Sequence, residues 1–335
     1  MSACATNRAA SSPDAAPIAS HAQIVVMAPT TATTGVPGGG SPSDLVVMDL
    51  DGSHREQLTH DDALEFLPHF APDGTAVVYT KFEQGTYGSM NAVTDIALYD
   101  FATGEERLLT HRGDAAQAAW SPDGSEIAFL THDTTTSVLW RMKRDGSDAR
   151  AVGSSSGTPD DMVWGDIAWS SDDWILFVVE EEPTGPCFKA RLDKIRPDGS
   201  GRTKVSAGGP SCTPQGFEQS GDADPGFSAD GKTIYSSRGL PQHPAGNAGS
   251  TERKLFAFSS AAWTSDKHET DLSLPSQPDC IEGVPKGSPD GTRILEFRAC
   301  FTGDTRPGVY VTDTAGSYRT FITEGFGPDW NPVAR

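Results

Sequence analysis

At 335 residues, with 36% apolar residues, 35 glycines and 24 prolines, the chain has the make-up of many short strands and tight turns rather than of long helices. It holds no run of 18 apolar residues, which excludes a membrane-spanning helix within the sequence. The balance of 26 basic against 46 acidic residues gives −20, a field that repels phosphate backbones and excludes nucleic acid as a partner while attracting cations and basic proteins or peptides.

Residues 1–21 are rich in Ala, Ser, Thr and Pro and have little to bury, so they read as a flexible tether. Ser2-Ala3-Cys4 resembles the end of a bacterial lipobox, in which a small pair precedes a cysteine that becomes lipidated. No charged or apolar leader precedes Cys4, so a signal peptide is expected to have been removed or left out. Any membrane contact is then expected only through a lipid anchor at Cys4.

From residue 22 onward the chain repeats itself. The motif appears as Phe70-Ala71-Pro72-Asp73-Gly74, Trp120-Ser121-Pro122-Asp123-Gly124, Trp169-Ser170-Ser171-Asp172-Asp173, Phe227-Ser228-Ala229-Asp230-Gly231 and Gly287-Ser288-Pro289-Asp290-Gly291. The turns are 50, 49, 58 and 60 residues apart, and Trp330-Asn331-Pro332 is a partial sixth copy. Proline presets φ in such a turn, Asp bonds back to the backbone, and Gly accepts a positive φ. An alternating apolar strand follows each copy, for example Ala76-Val77-Val78-Tyr79 or Arg293-Ile294-Leu295-Glu296-Phe297. A third strand, a further turn such as Thr103-Gly104, and a short fourth strand complete the unit. Four antiparallel strands in about 40–50 residues make a propeller blade, which cannot bury both faces alone and must stack round an axis.

Innermost strands are expected near Leu67, Gln117, Asp166, Pro225, Val284 and Gly327, which makes six. The strands at residues 23–27 and 44–48 have no inner strand before them, and the one at Trp330 has nothing after it. Joining the two ends completes a blade and removes two exposed edges. The expected fold is therefore all-β, a six-bladed propeller closed by its N- and C-terminal strands, spanning residues 22–335. Trp120, Trp169 and Trp330 share one repeat position and are expected to pack between blades.

The repeated Trp/Phe-Ser-Pro-Asp-Gly followed by a strand such as Ile127-Ala128-Phe129 resembles the TolB-like propeller repeats, relatives of the WD-type repeats, over residues 23–332. The namesake periplasmic protein has an additional N-terminal α/β domain with no counterpart in this sequence, so its partners are not carried over. The resemblance implies a bacterial periplasmic or cell-surface setting. Related propellers include polysaccharide lyases and hydrolases, and others gate substrate in oligopeptidases, a role that needs a partner chain here.

Five cysteines occur and none forms a C-x-x-C pair, which disfavours zinc. Cys187, Cys212, Cys280 and Cys300 suggest two disulfides in an oxidising compartment. Of three pairings, Cys187–Cys212 and Cys280–Cys300 each bracket one repeat. Free buried thiols are the alternative.

Turns from first to second and from third to fourth strand are short and uniform and share one face. The opposite face carries loops of diverging length, residues 28–43, 82–94, 239–253 and 301–307, and is the expected binding face. Segments leading into the inner strands each carry an acid: Glu65, Asp114, Asp166, Asp222 or Asp224, Glu282 and Glu324. Rimming a channel, they would raise one another's pKa unless a cation intervened, and Ca²⁺ would suit such oxygen ligands. Solvated surface acids are the plainer explanation. The nucleophile-elbow, zincin, P-loop and dinucleotide motifs are absent. His60, His69, Arg112, Arg238 and Arg298 are the residue types a lyase or hydrolase at the channel mouth would need; a packed histidine is the plainer reading of His69. The sequence thus favours a monomeric scaffold that binds a protein, peptide or glycan over an enzyme.

Overall fold

The computed structural model describes residues 22–30, 42–87, 92–132, 137–154, 162–181, 188–208, 219–239, 253–262, 264, 268–274, 280–300 and 306–334. Among them every regular element is a β-strand, and no helix is long and apolar enough to cross a membrane. The strands run β1 (Ile24–Pro29), β2 (Ser43–Met48), β3 (Glu56–Gln57), β4 (Leu64–Phe70), β5 (Ala76–Phe82), β6 (Thr94–Asp100), β7 (Glu105–Leu108) and β8 (Ala115–Trp120). They continue as β9 (Glu126–His132), β10 (Ser137–Lys143), β11 (Arg150–Ser154), β12 (Met162–Trp169), β13 (Ile175–Glu181), β14 (Phe188–Ile195), β15 (Thr203–Lys204) and β16 (Gln219–Phe227). The last are β17 (Thr233–Gly239), β18 (Arg253–Ser259), β19 (Glu269–Asp271), β20 (Cys280–Gly287), β21 (Arg293–Cys300), β22 (Gly308–Asp313), β23 (Thr320–Thr323) and β24 (Phe326–Trp330).

Antiparallel pairing sorts them into sets of four. Five sets are consecutive in sequence, from β4–β7 to β20–β23. The remaining set joins the chain's two ends: β24 pairs with β1, Ile24 opposite Trp330, and β1 continues through β2 to β3. Between sets, strand pairing among the described residues is limited to short parallel bridges such as Ser43 with Leu64, so side-chain contacts and not one continuous sheet join them.

That packing follows from period-2 alternation on strands buried from both sides. Val25, Leu45 and Val47 meet Val77, Tyr79 and Ala97 of the β4–β7 set. Their neighbours Ile24, Val26, Val46 and Met48 turn the other way, onto Leu295, Val309 and Val311 of β21 and β22. Four further apolar clusters fill the remaining gaps between successive sets. Each fully buried Val, Ile or Leu is worth about 1.5–3 kcal/mol relative to exposure. The first strands also touch in cyclic order: β4 with β8, β8 with β12, β12 with β16, β16 with β20, β20 with β24, and β24 with β4.

The repeated turns have the expected chemistry. Asp123 Oδ1 accepts from the Ser125 amide at 3.0 Å and from the Ser121 hydroxyl at 2.7 Å, and Gly124 follows at φ +70°. Trp120 and Trp330 each bond the preceding set's first strand, through Nε1 to the His69 carbonyl at 3.0 Å and to the Lys286 carbonyl at 2.8 Å. Trp169 differs: it is half-buried and donates to Asp173 in its own turn at 2.8 Å.

Cys280 and Cys300, direct partners on β20 and β21, form the expected disulfide. Cys187, Cys212, and Cys4 with the whole of residues 1–21 lie outside the described residues.

Candidate functional site

Each first strand kinks three residues before the repeat's Phe, Trp or Gly, or four before it in β12. Leu67, Gln117, Gly165, Asp224, Val284 and Gly327 all have φ between +48° and +75°. Each lies where the ladder to the next strand breaks register, a β-bulge that re-aims the residues after it. Leu67, Gln117, Val284 and Gly327 are residues near which the sequence reading expected inner strands to start, while Gly165 and Asp224 each precede by one the expected Asp166 and Pro225. The strands begin up to several residues earlier, because the bulge interrupts the alternation that would reveal them.

Two residues beyond the bulge come His69 on β4, Lys286 on β20 and Asp329 on β24. In β12 the break is longer: Trp164 and Ala168 are four residues apart while their partners Val178 and Leu176 are two apart. The longer break holds Asp166. Lys286 Nζ donates to Asp166 Oδ2 at 2.8 Å, and His69 Nε2 lies 3.5 Å from Asp166 Oδ1. His69 Nδ1 lies 3.8 Å from Asp329 Oδ2, which accepts the Phe70 amide at 2.8 Å. Four first strands thus meet through one buried charge cluster. Burial alone would raise the Asp166 carboxyl, but the Lys286 ammonium and His69 overrule it and hold the group well below the carboxylate range. Burial wins at Asp329, whose carboxyl is raised against the pull of His69 and Lys286.

A cavity of about 400 Å³ opens from this cluster. All six first strands line it, with Trp120, Trp169, Phe227 and Trp330 among its walls and the turn prolines at its rim. It lies at the end of the short uniform turns, opposite the face that loop irregularity singled out. Loop length could not locate it, because the turns converging there are all alike. Lys286 and Asp329 were also missed. Their signal was the repeat position just before Phe70, Trp120, Trp169, Phe227, Gly287 and Trp330, filled by Ala119, Ala168 and Gly226 in three copies and by His69, Lys286 and Asp329 in the other three.

Of the predicted acids, the structure brings only Asp166 together with a predicted histidine, His69. Three others are paired inside their own sets. Glu65 stands directly opposite Lys81, Asp222 opposite Arg238, and Glu282 opposite Arg298. Arg238 donates to Asp222 at 2.7 Å and also binds Glu269, which keeps its guanidinium charged. Arg298 lies 3.5 Å from Glu282 and donates to the Cys280 sulfur at 3.3 Å. Arg319 bridges Glu282 and Glu296, and the Glu296 carboxyl is pushed up to about 8, chiefly by burial. Arg112 pairs with Asp114 at 3.0 Å and covers the Trp140 ring. Asp224 accepts from Ser237 at 2.7 Å, while Glu324 and His60 are exposed. His60, Arg112, Arg238 and Arg298 therefore belong to separate local contacts rather than to one constellation.

The irregular loops fall largely outside the described residues. What is described there includes a second cavity of about 420 Å³, lined by Asp61, Asp62, Glu83 and Asp95, with the half-exposed Leu108 beside it. At its edge Lys81 Nζ lies 2.5 Å from both Asp61 and Glu106, and 3.8 Å from Glu65. Glu65 is fully buried, neither of its carboxyl oxygens has a hydrogen-bond partner, and burial beside Asp61 pushes it up to about 8 despite Lys81.

No family model matches the chain. The Tol-Pal system protein TolB of Anaeromyxobacter dehalogenans is 29% identical over 121 residues, 36% of this chain and 26% of that protein. The chain thus spans about a quarter of that relative's length. Among solved structures, TolB from Acinetobacter baumannii is similar with a TM-score of 0.62 at 18% identity, covering 92% of this chain and 66% of that one. A chain of a nidogen/laminin complex matches with a TM-score of 0.62 at 11% identity, covering 93% and 100%. Repeat motif, strand pairing and these likenesses together make the chain a TolB-like β-propeller.

Proposed function

We propose that the sets of strands form a six-bladed ring sealed by β24 against β1, and that this propeller is an exported scaffold binding a protein, peptide or glycan. The observation that carries the binding reading is the axial cavity: aromatic and proline walls with a few polar groups, His69, Lys286 and Asp329, converging at its floor. Dispersal of Arg112, Arg238 and Arg298 into local ion pairs favours binding over a lyase or hydrolase reaction. The Cys280–Cys300 disulfide supports an oxidising compartment such as the periplasm or cell surface, and Ser2-Ala3-Cys4 supports anchoring by a lipid. Likeness to a Tol-Pal system protein supports protein partners in general terms.

The acid-lined cavity supports a second docking area on the irregular-loop face, suited to a cationic partner. The axial reading is tested with Ala229→Trp, which places a large side chain at the exposed cavity rim. A peptide or glycan from a defined panel that binds the parent should bind this variant about tenfold more weakly or worse. Binding unaffected by the tryptophan refutes the axial site; a panel with no binder at all refutes peptide or glycan recognition.

A further inference from the structure

Among the described residues, the β4–β7 set holds a distinct cluster of carboxylates. Asp61 from the loop before β4, Glu65 on β4 and Glu106 on β7 each offer a carboxylate oxygen, and these oxygens lie within 4.8 Å of one another. Oxygens bound to one calcium ion at about 2.4 Å can be at most about 4.8 Å apart, so the three fit a single coordination sphere. Glu65 is the second, independent observation: it is fully buried, and both of its oxygens lack a hydrogen-bond partner. A buried carboxylate without hydrogen bonds is costly unless a cation stands next to it. In the corresponding places of two other sets, Asp222 and Glu282 have close guanidinium partners. The Lys81 ammonium instead goes to Asp61 and Glu106 and stays 3.8 Å from Glu65.

We propose that Asp61, Glu65 and Glu106 bind a divalent metal ion of hard, oxygen-preferring type, Ca²⁺ above all, which enters by displacing the Lys81 ammonium. The site is separate from the axial cavity and does not depend on the binding role proposed for it. Asp61 is half-exposed and the 420 Å³ cavity lies alongside, so water can complete the sphere and Lys81 can swing its head into solvent. The ammonium leaves intact and the ion takes its place among the three carboxylate oxygens.

The test is calorimetric titration of the chelator-stripped full chain with Ca²⁺ at pH 7. Binding at one site is expected. Glu65→Gln should abolish it, and Asp61→Asn, at an exposed position, should weaken it about tenfold. Lys81→Gln should tighten it about tenfold or more, because the competing cation is gone. Terbium offers a second readout, since Tyr79 donates its hydroxyl to Glu106 at 2.6 Å and can sensitise a bound ion. Tyr79→Phe should lose that luminescence while keeping calcium affinity. Absence of binding at millimolar Ca²⁺ in both the parent and Lys81→Gln overturns the proposal, as does binding that survives Glu65→Gln unchanged.

Discussion

Asp166→Asn probes the axial cluster most directly. Asp166 takes the Lys286 ammonium at 2.8 Å, faces His69 at 3.5 Å and accepts the Ile167 amide at 2.9 Å, with its carboxylate wholly out of water. Asparagine keeps the shape and removes the charge, leaving Lys286, also buried, without its carboxylate. Breaking a buried pair from one side costs about 3–5 kcal/mol, which in a chain of this length lowers the melting temperature by about 4–7 °C. Thermal unfolding by circular dichroism at pH 7 measures it. Asp166→Asn with Lys286→Met removes both charges and should recover more than half of the loss. The pH sign also follows. A carboxyl held below its ordinary 3.8 contributes stability that is present above that value and drains away as the pH falls through its folded pKa, so the gap between parent and variant should narrow in strong acid. A melting temperature within about 1 °C of the parent, or strictly additive losses in the double variant, would refute the cross-axis clamp.

Glu65 and Glu296 carry the opposite sign. Each is raised from 4.5 to about 8, so the fold favours their protonated forms, and stability held below pH 4.5 is lost as the pH climbs towards 8. In chelator, Glu65→Gln should match the parent near pH 5 and exceed it by about 1–3 kcal/mol at pH 8.5, read from denaturant midpoints; equal pH slopes would count against a neutral buried acid. Reducing Cys280–Cys300, whose cysteines are 20 residues apart, should cost about 3 kcal/mol, and Cys280→Ser should make the melt insensitive to reductant. Ending the chain after Glu324 removes β24, uncovers β1 and deletes Asp329 and Trp330, so cooperative unfolding should be lost; a sharp, unshifted melt would mean that the pairing of the ends contributes little.

The architecture was legible because it was written repeatedly. Asp-Gly turns at similar spacing mark four of the five consecutive first-to-second strand corners, with Asp172-Asp173 at the fifth, and the lone strands at residues 24–29 and 326–330 find each other as two unmatched parts must. The Cys280–Cys300 pair was legible for the same reason, since both cysteines flank one hairpin. The site was not. The acids that precede the first strands look alike in sequence, yet Glu65, Asp222 and Glu282 sit before the bulge, opposite basic residues on the second strand, while Asp166 sits within it and reaches the axis. Two positions in the repeat separate an ion pair inside a set from a charge at the centre, and no local pattern marks the bulge because Leu67, Gln117, Asp224 and Val284 share neither size nor polarity.

Those four residues explain how the axis comes to be built at all. A non-glycine residue in the left-handed region costs about 1 kcal/mol or more, and a β-branched one such as Val284 is a particularly poor occupant. Such strain persists only where the surroundings over-determine it. Here they do: the residues on either side of each bulge are tied to the second strand, and Trp120 and Trp330 pin the carbonyls of His69 and Lys286 from the neighbouring set. The kink then turns the following side chains away from the sheet faces that alternation would give them and into the cavity. Regular strands would have offered the axis a plain alternation of residues. The bulges, strained at Leu67 and Val284 and made by glycine at Gly165 and Gly327, let His69, Lys286 and Asp329 gather round Asp166 while their neighbours remain in the packing between sets. The strain at Leu67 and Val284 is thus the cost of placing polar chemistry at the centre.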